Sequence, residues 1–298
     1  MRPPVPTALS RLLMSIGVLV RSGFLLSIIL GPGMAAAAPA DGTPEVKFLT
    51  YNVLADRVHP EVRLPALFDL LGRSNADVIA LQEVAPWFLK ELEGKPWAAA
   101  YHSPTAEGKR FAPGGLLILS KSPILKFNGG RLPSRQGRVW LVVETEVRSV
   151  KLTIANCHLE SPLEAGNIRA GQLDLFFQQL AGAADALFMG DFNFGDGEQP
   201  DTAKLPPAYL DAWSRTNPGV PGFTWNIEKS RMAAEGSFPN EKSRRLDRIL
   251  IRSPHFTPVS TLIMGDAPVM GKIDVFPSDH FGLISTMRVN PEKNAVPR

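Results

Sequence analysis

The stretch "KLTIANCHLESPLEAGNIRAGQLDLFFQQLAGAADALFMGDFN", Lys151 to Asn193, decides the fold. It opens on an apolar run, "KLTIANCHLE", and closes on another, "ALFMGDFN". Between them Leu173, Phe176, Phe177 and Leu180 recur at helical spacing and form one apolar face. A strand, a helix and a second strand in immediate succession imply a layered α/β domain.

The alternation extends in both directions. "EVKFLTYNVL" reads as a strand ending near Asn52. Leu64, Leu67, Phe68 and Leu71 then give a helix face, closed by Gly72 and Asn75. "DVIALQEV" is a short buried strand ending in Gln82 and Glu83, and "WFLKELEG" a short helix stopped by Gly94. "GLLILSKSPI" is a further strand, and "RVWLVVETEV" with "KLTIANCHLE" flanks Arg148-Ser149 as a β-hairpin. From Gly195 to about Arg245 the chain is rich in Pro, Gly and charge, which predicts irregular structure. "RLDRILIRS", "VSTLIMG" and "FGLISTMRV" read as the last strands.

The first 40 residues are of another kind. They contain Arg2, Arg11 and Arg21, no acidic residue, an apolar stretch from Leu12 to Leu30, the breaker "GPG" and then "MAAAAPA". That order predicts a secretory signal peptide over residues 1–40, cleaved near Ala37 to Ala40, ahead of a catalytic domain over 41–298. Arg21 leaves the apolar part shorter than the ~20 helical residues of a bilayer span, so no stable membrane span is expected after cleavage. Without the three leader arginines the 32 basic residues fall to 29, level with the 29 acidic ones. Bulk charge therefore argues for no polyanion-binding surface, and any basic region must be local. Cys157 is the only cysteine, so no internal disulfide is possible, and its place inside an apolar strand predicts a buried, inert thiol.

Polar residues at the ends of apolar strands carry the chemistry. Asn52, Glu83, His158, Asp191 with Asn193, and the Asp279-His280 pair all stand there, where α/β proteins gather their ligands. Each alone is an ordinary loop residue. In an extended strand Asn156 and His158 share one face, with Cys157 on the other, and Asp191 and Asn193 would share one face by the same rule. Gly190 lets backbone or ligand approach closely. Asp247, inside "RLDRI", needs a partner if buried, and a histidine ring N–H suits it. The sequence has no Cys/His cluster for zinc, no P-loop and no GxSxG elbow. Oxygen ligands in this number suit a hard cation, Mg2+ or Mn2+, which with histidines and amides fits phosphate-ester hydrolysis.

Taken in order, "TYNVLAD", "LQEV", "NCHLES", "GDFN", "GFTWN", "RLDRI" and "SDHFGL" resemble the endonuclease/exonuclease/phosphatase superfamily, from about Phe48 to Val289. Within it, "HLES", "LDAW", "GFTWN", "RRLDRI" and "PSDHFGL" are most similar to the tyrosyl-DNA phosphodiesterase 2 group and its bacterial relatives. The resemblance implies a four-layer α/β sandwich with two central mixed β-sheets flanked by helices. It also implies Glu83 as main metal ligand, with Asn52 beside it and Asp279 on the metal side. Asp191 and Asn193 would handle the nucleophilic water and the phosphate, and His158 would hydrogen-bond the phosphate. His280 would be the second site histidine, held by Asp247. Trp225 would shape the substrate wall, or else be a core tryptophan.

The expected function is an exported, Mg2+- or Mn2+-dependent phosphodiesterase or nuclease, monomeric, on nucleic acid or a related phosphodiester. A phosphatase or phospholipase-like enzyme is the second reading, although no apolar hairpin for a lipid surface stands out. A non-catalytic module of the same fold is the third. Lys229, Arg231, Lys242, Arg244 and Arg245 with Glu228, Glu235 and Glu241 read as a solvated loop, or else a phosphate-tracking one. Asp196 and Glu198 read as loop residues.

Overall fold

A computed structural model describes residues 42–106 and 108–290; the leader reading over residues 1–40 lies outside them. The chain runs β1 (Glu45–Asn52), α1 (Pro60–Ser74), β2 (Val78–Gln82), α2 (Pro86–Glu93), a short ribbon of β3 (Thr105–Ala106) and β4 (Lys109–Arg110), then β5 (Leu117–Ser120). It continues through β6 (Ile124–Arg131), β7 (Val139–Val147), β8 (Val150–His158), α3 (Gly166–Leu180) and β9 (Ala186–Asp191). β10 (Leu210–Asp211), α4 (Ala212–Thr216), α5 (Arg231–Gly236), β11 (Asp247–Arg252), β12 (Phe256–Met264) and β13 (Gly282–Val289) complete it.

Two mixed sheets result, in the orders β12-β13-β1-β2-β5 and β10-β11-β9-β8-β7-β6. Each is built around one parallel pair joined through a helix, β1 with β2 and β8 with β9; the remaining pairs are antiparallel. Strand alternation then makes layers. Val46, Phe48, Val78, Ala80 and Ile118 of one sheet face Leu141, Val143, Ile154, Leu187 and Met189 of the other. The opposite faces take helices. Leu49, Ile79 and Leu81 bury Leu64, Leu67 and Phe68 of α1 and Phe88 of α2. Ala155, Cys157 and Phe188 bury Leu173, Phe176 and Leu180 of α3. This is the expected four-layer α/β sandwich.

Local chemistry explains the details. Asn75, at φ 48°, ends α1 in the left-handed conformation that a short polar side chain tolerates. Gly72 lies inside the helix, where a Cβ would stand 2.7 Å from the Trp97 ring. Arg148 and Ser149, at φ 51° and 63°, make the tight turn of the β7–β8 hairpin. β6, which the sequence reading did not include, is the exposed edge strand, and its glycines let the Trp140 backbone and ring sit close. The irregular region holds short helices capped by Asp211 and Ser230.

Candidate active site

The parallel pairs of both sheets end on the same side of the molecule, and their last residues meet. Asn52 ends β1, Glu83 follows β2, His158 ends β8, and Asp191 ends β9 beside His158 in register. β11 runs antiparallel to β9, so its first residue, Asp247, lies opposite Asp191. Asp279 and His280 precede β13. All the strand-end residues expected from sequence come together, and most of them line one cleft of about 230 Å3.

Asn52 joins the halves of the site. Its Nδ2 donates to Glu83 Oε1 at 3.1 Å and to Asp191 Oδ2 at 3.0 Å, across the two sheets. Glu83 sits at φ 60°, a strained position for a glutamate, and its Oε2 accepts the Ala55 amide at 2.8 Å. Burial pushes the Glu83 carboxyl up, but nearby His158, the Ala55 amide and Asn52 bring it below the ordinary value. The Ser278 hydroxyl lies 2.7 Å from the Asn52 carbonyl and 3.1 Å from Asp279 Oδ1, placing Asp279 on the Glu83 side. Burial, with the Glu83 charge adding to it, raises the Asp279 carboxyl.

Asp191 lies between two histidines. Its Oδ2 is 3.4 Å from His158 Nε2 and 3.7 Å from His280 Nε2. Burial would raise its carboxyl; His280, His158 and the Asn52 amide hold it low. Asp247 accepts from His280 Nδ1 at 2.9 Å. Burial lifts Asp247 to about 6 against the pull of His280. Burial disfavours the His280 cation, yet Asp247 and Asp191 together raise its basicity well above the ordinary value. Thr224 Oγ1 accepts the Leu246 and Asp247 amides at 3.0 Å each and fixes the start of β11. Trp225 packs on His280 with ring centres 4.9 Å apart; it is buried and also lines the cleft with Phe238.

Several details differ from the sequence reading. Asp191 and Asn193 are not on one extended face. The chain turns at Asn193, φ 56°, and the Asn193 amide N–H donates to Asp191 Oδ1 at 3.0 Å, an Asx-type turn that still leaves both in the cleft. Asp196 and Glu198 are not mere loop residues: Asp196 Oδ1 is 2.5 Å from Arg245 and 2.8 Å from Arg248, and Glu198 pairs with Arg244 at 3.2 Å. Arg244 and Arg245 are buried in those pairs with Glu241 and Asp211, so neither is a free phosphate-tracking cation. Asn156 Oδ1 accepts from Gln82 Nε2 of the other sheet at 2.7 Å.

Two arginines escaped the sequence reading. Arg63 of α1 is buried and donates to five carbonyls, including Val53, Asp56 and Pro277, tying the loop after β1 to the one before "SDH". Arg138, just before β7, lies 3.0 Å from His158 Nδ1. Nothing local distinguishes either from an exposed arginine; only the distant partners do.

Among the described residues, Asp191, Asp247 and His280 form a group whose ligand atoms lie within 4.8 Å of one another. His280 Nδ1 is already taken by Asp247, which suits proton chemistry. Glu83 and Asp279 offer a second pair of carboxylates, oxygen donors whose mutual repulsion a hard cation would relieve. A larger concavity, about 570 Å3 and lined by Lys126, Lys151 and His255 among others, lies elsewhere and holds none of these residues.

Carboxylates, amides and paired histidines gather at the strand ends of a two-sheet sandwich. The chain belongs to the endonuclease/exonuclease/phosphatase family, whose sequence pattern matches residues 49–280. More particularly, it is 27% identical over 267 residues to tyrosyl-DNA phosphodiesterase 2 of Rattus norvegicus, covering 85% of this chain and 70% of that one. It is 29% identical over 257 residues to the Bos taurus protein of the same name, covering 81% and 67%. Similar solved structures include D. rerio TDP2 complexed with single strand DNA product, with a TM-score of 0.70, 24% identity and coverage of 82% and 99%. A family protein from Bacteroides thetaiotaomicron shares the fold with a TM-score of 0.64, 16% identity and coverage of 84% and 99%.

Proposed function

We propose that this chain is an exported phosphodiesterase, dependent on Mg2+ or Mn2+, that hydrolyses a phosphodiester of the nucleic-acid type. The observation that carries the reading is the placing of Asp191 between two histidines, linked by Asn52 to Glu83. Glu83 and Asp279, with Asn52 beside them, would hold the cation. When bound, a hard cation polarises a phosphoryl oxygen and steadies the leaving oxygen.

The chain's own residues do the rest. Asp191, held ionised, orients the attacking water and accepts its proton. His280, held cationic by Asp247, faces the charge that develops on the phosphate. The Asn193 side-chain amide donates one proton to the Leu159 carbonyl at 2.9 Å; its other proton and His158 bind phosphate oxygens. Trp225 and Phe238 wall the substrate. The leader over residues 1–40 supports export, and tyrosyl–DNA adducts inside the cell would then be out of reach. The domain boundary near residue 41 and the monomeric state belong to the same proposal.

One observation favours a second substrate class. Met270 and Ile273, in the loop leading to Ser278–His280, are 98% and 86% exposed, two apolar side chains beside exposed Lys272 and Asp274 that the sequence reading did not pick out. Such side chains suit a lipid phosphodiester. Among the described residues no helix is long and apolar enough to cross a membrane.

The test is a panel of single- and double-stranded DNA, RNA, a phosphotyrosyl oligonucleotide, bis-p-nitrophenyl phosphate, a sugar phosphate and sphingomyelin vesicles. Turnover should vanish with EDTA and return with Mg2+ or Mn2+. Absence of metal-dependent turnover on every substrate would refute the enzyme. An N-terminus at Met1 on the exported protein, by mass spectrometry, would refute leader cleavage.

A further inference from the structure

The Arg138 guanidinium places Nη1 3.0 Å from His158 Nδ1 and Nη2 2.5 Å from Ser161 Oγ, with Gln136 Oε1 at 3.3 Å. A guanidinium only donates, and it keeps its charge in a protein. Whichever ring nitrogen faces it must therefore offer a lone pair. The proton of a neutral ring then has one place left, Nε2, which lies 3.4 Å from Asp191 Oδ2 at the cleft.

The surroundings hold Arg138 in place. Ser134 Oγ accepts the Gln136 and Arg138 amides at 2.9 and 3.0 Å and donates to buried Glu160 at 2.6 Å. Glu160 also accepts the Arg135 amide at 2.9 Å. In "HLES", then, His158 faces the cleft, while Glu160 and Ser161 secure the arginine behind it.

We infer that Arg138 is a positioning residue that fixes His158 as a neutral imidazole protonated on Nε2, so that it serves the phosphate as a hydrogen-bond donor and not as a base. The inference rests on the phosphodiesterase reading for its consequence, but the tautomer stands apart from it. Burial and the Arg138 charge lower His158 to about 4, against the pull of Asp191 and Glu83, which agrees with a neutral ring.

The test labels the full chain with 15N-histidine and records long-range 1H–15N correlations at neutral pH. Five histidines are present, and His158 is assigned by its loss in His158→Asn. The expected result is a pyridine-like Nδ1 and a pyrrole-like Nε2 in the unaltered protein. In Arg138→Met that pattern should give way to mixed tautomers, with Arg138→Lys, also donor-only, recovering it. Ser161→Ala, which loosens Arg138 without touching the ring, should blur the pattern in the same direction. A pyrrole-like Nδ1 in the unaltered protein, or an unchanged His158 spectrum in folded Arg138→Met or Ser161→Ala, would overturn the inference. On bis-p-nitrophenyl phosphate, Arg138→Met should lower kcat ~10- to 100-fold, the usual effect of losing such a support, with KM little changed. An unchanged kcat would overturn the positioning role. Absence of turnover in the unaltered protein would sink the enzyme reading while the tautomer result still decides its own case.

Discussion

Gly190→Ala tests the register that builds the site. Gly190 precedes Asp191 in β9 and pairs with Cys157 of β8, at φ 142°. A Cβ there would stand 2.1 Å from the Cys157 carbonyl oxygen and 2.8 Å from its nitrogen. Both atoms are backbone, so no rotamer change relieves the clash. The ends of β8 and β9 must part, at the point where Leu159 N–H donates to Asp191 O at 2.9 Å. Losing about two backbone hydrogen bonds at ~1 kcal/mol each, plus ~1–2 kcal/mol for a left-handed alanine, gives ~3–4 kcal/mol. For a domain of this size that is a fall in Tm on the order of 10 °C. Gly171→Ala, in α3 with nothing within 4 Å of its Cβ, is the control. It should raise stability by ~0.5–1 kcal/mol, because alanine loses less backbone entropy in a helix. Thermal and urea melts of the two variants should move in opposite directions, and Gly190→Ala should lose turnover through displacement of Asp191. A Gly190→Ala melt matching the parent would show that β8 and β9 do not meet in this register.

Asp191→Asn and Glu83→Ala should each cut kcat at least ~10²-fold while far-UV circular dichroism stays unchanged; turnover within tenfold of the parent would break the assignment. Asp247→Asn removes the charge that keeps His280 protonated against burial. Its kcat should fall ~10²- to 10⁴-fold, and the alkaline limb of its pH profile should move to lower pH; a limb left in place would count against the pairing. His158 binds a proton more weakly folded, at about 4, than unfolded, at 6.5, so protonation favours the unfolded chain. Its contribution is complete above the unfolded value and is lost as pH falls toward 4. Urea melts in EDTA at pH 7.5 and 4.5 should show the parent losing about 2–3 kcal/mol more than His158→Asn; equal losses would contradict a neutral buried ring.

Layers were legible because burial repeats along the chain. Apolar runs marked β1, β2, β8 and β9, and the Leu173–Leu180 spacing marked α3. The polar residues ending those runs were legible as one cluster because parallel strands with helical crossovers bring such ends to one side. What failed to show was pairing at a distance. Arg245 and Asp196 are 49 positions apart and each looks like loop charge. They form an ion pair in which the arginine is buried and the aspartate stays exposed, which also disposes of a basic loop at Arg244 and Arg245. β6 was lost because edge strands need no apolar face, and the face rule failed at Asn193 because the strand had already turned.

The two histidines show what sequence leaves open and structure closes. His158 and His280 flank the same carboxylate, at 3.4 and 3.7 Å, and both are buried. As residue types they are interchangeable. Their outer nitrogens meet opposite charges, Arg138 behind one and Asp247 behind the other. A donor-only cation leaves His158 neutral; a buried anion makes His280 a cation. Asp191 therefore faces one positive ring and one neutral donor, which keeps it ionised without a second like-charged ring to repel the first. Reversing the partners would reverse the roles: an acidic residue at position 138 should make His158 the cation, and Asp247→Asn should bring His280 toward the neutral state. The difference between the two rings thus rests on Arg138 and Asp247, neither of which lines the cleft.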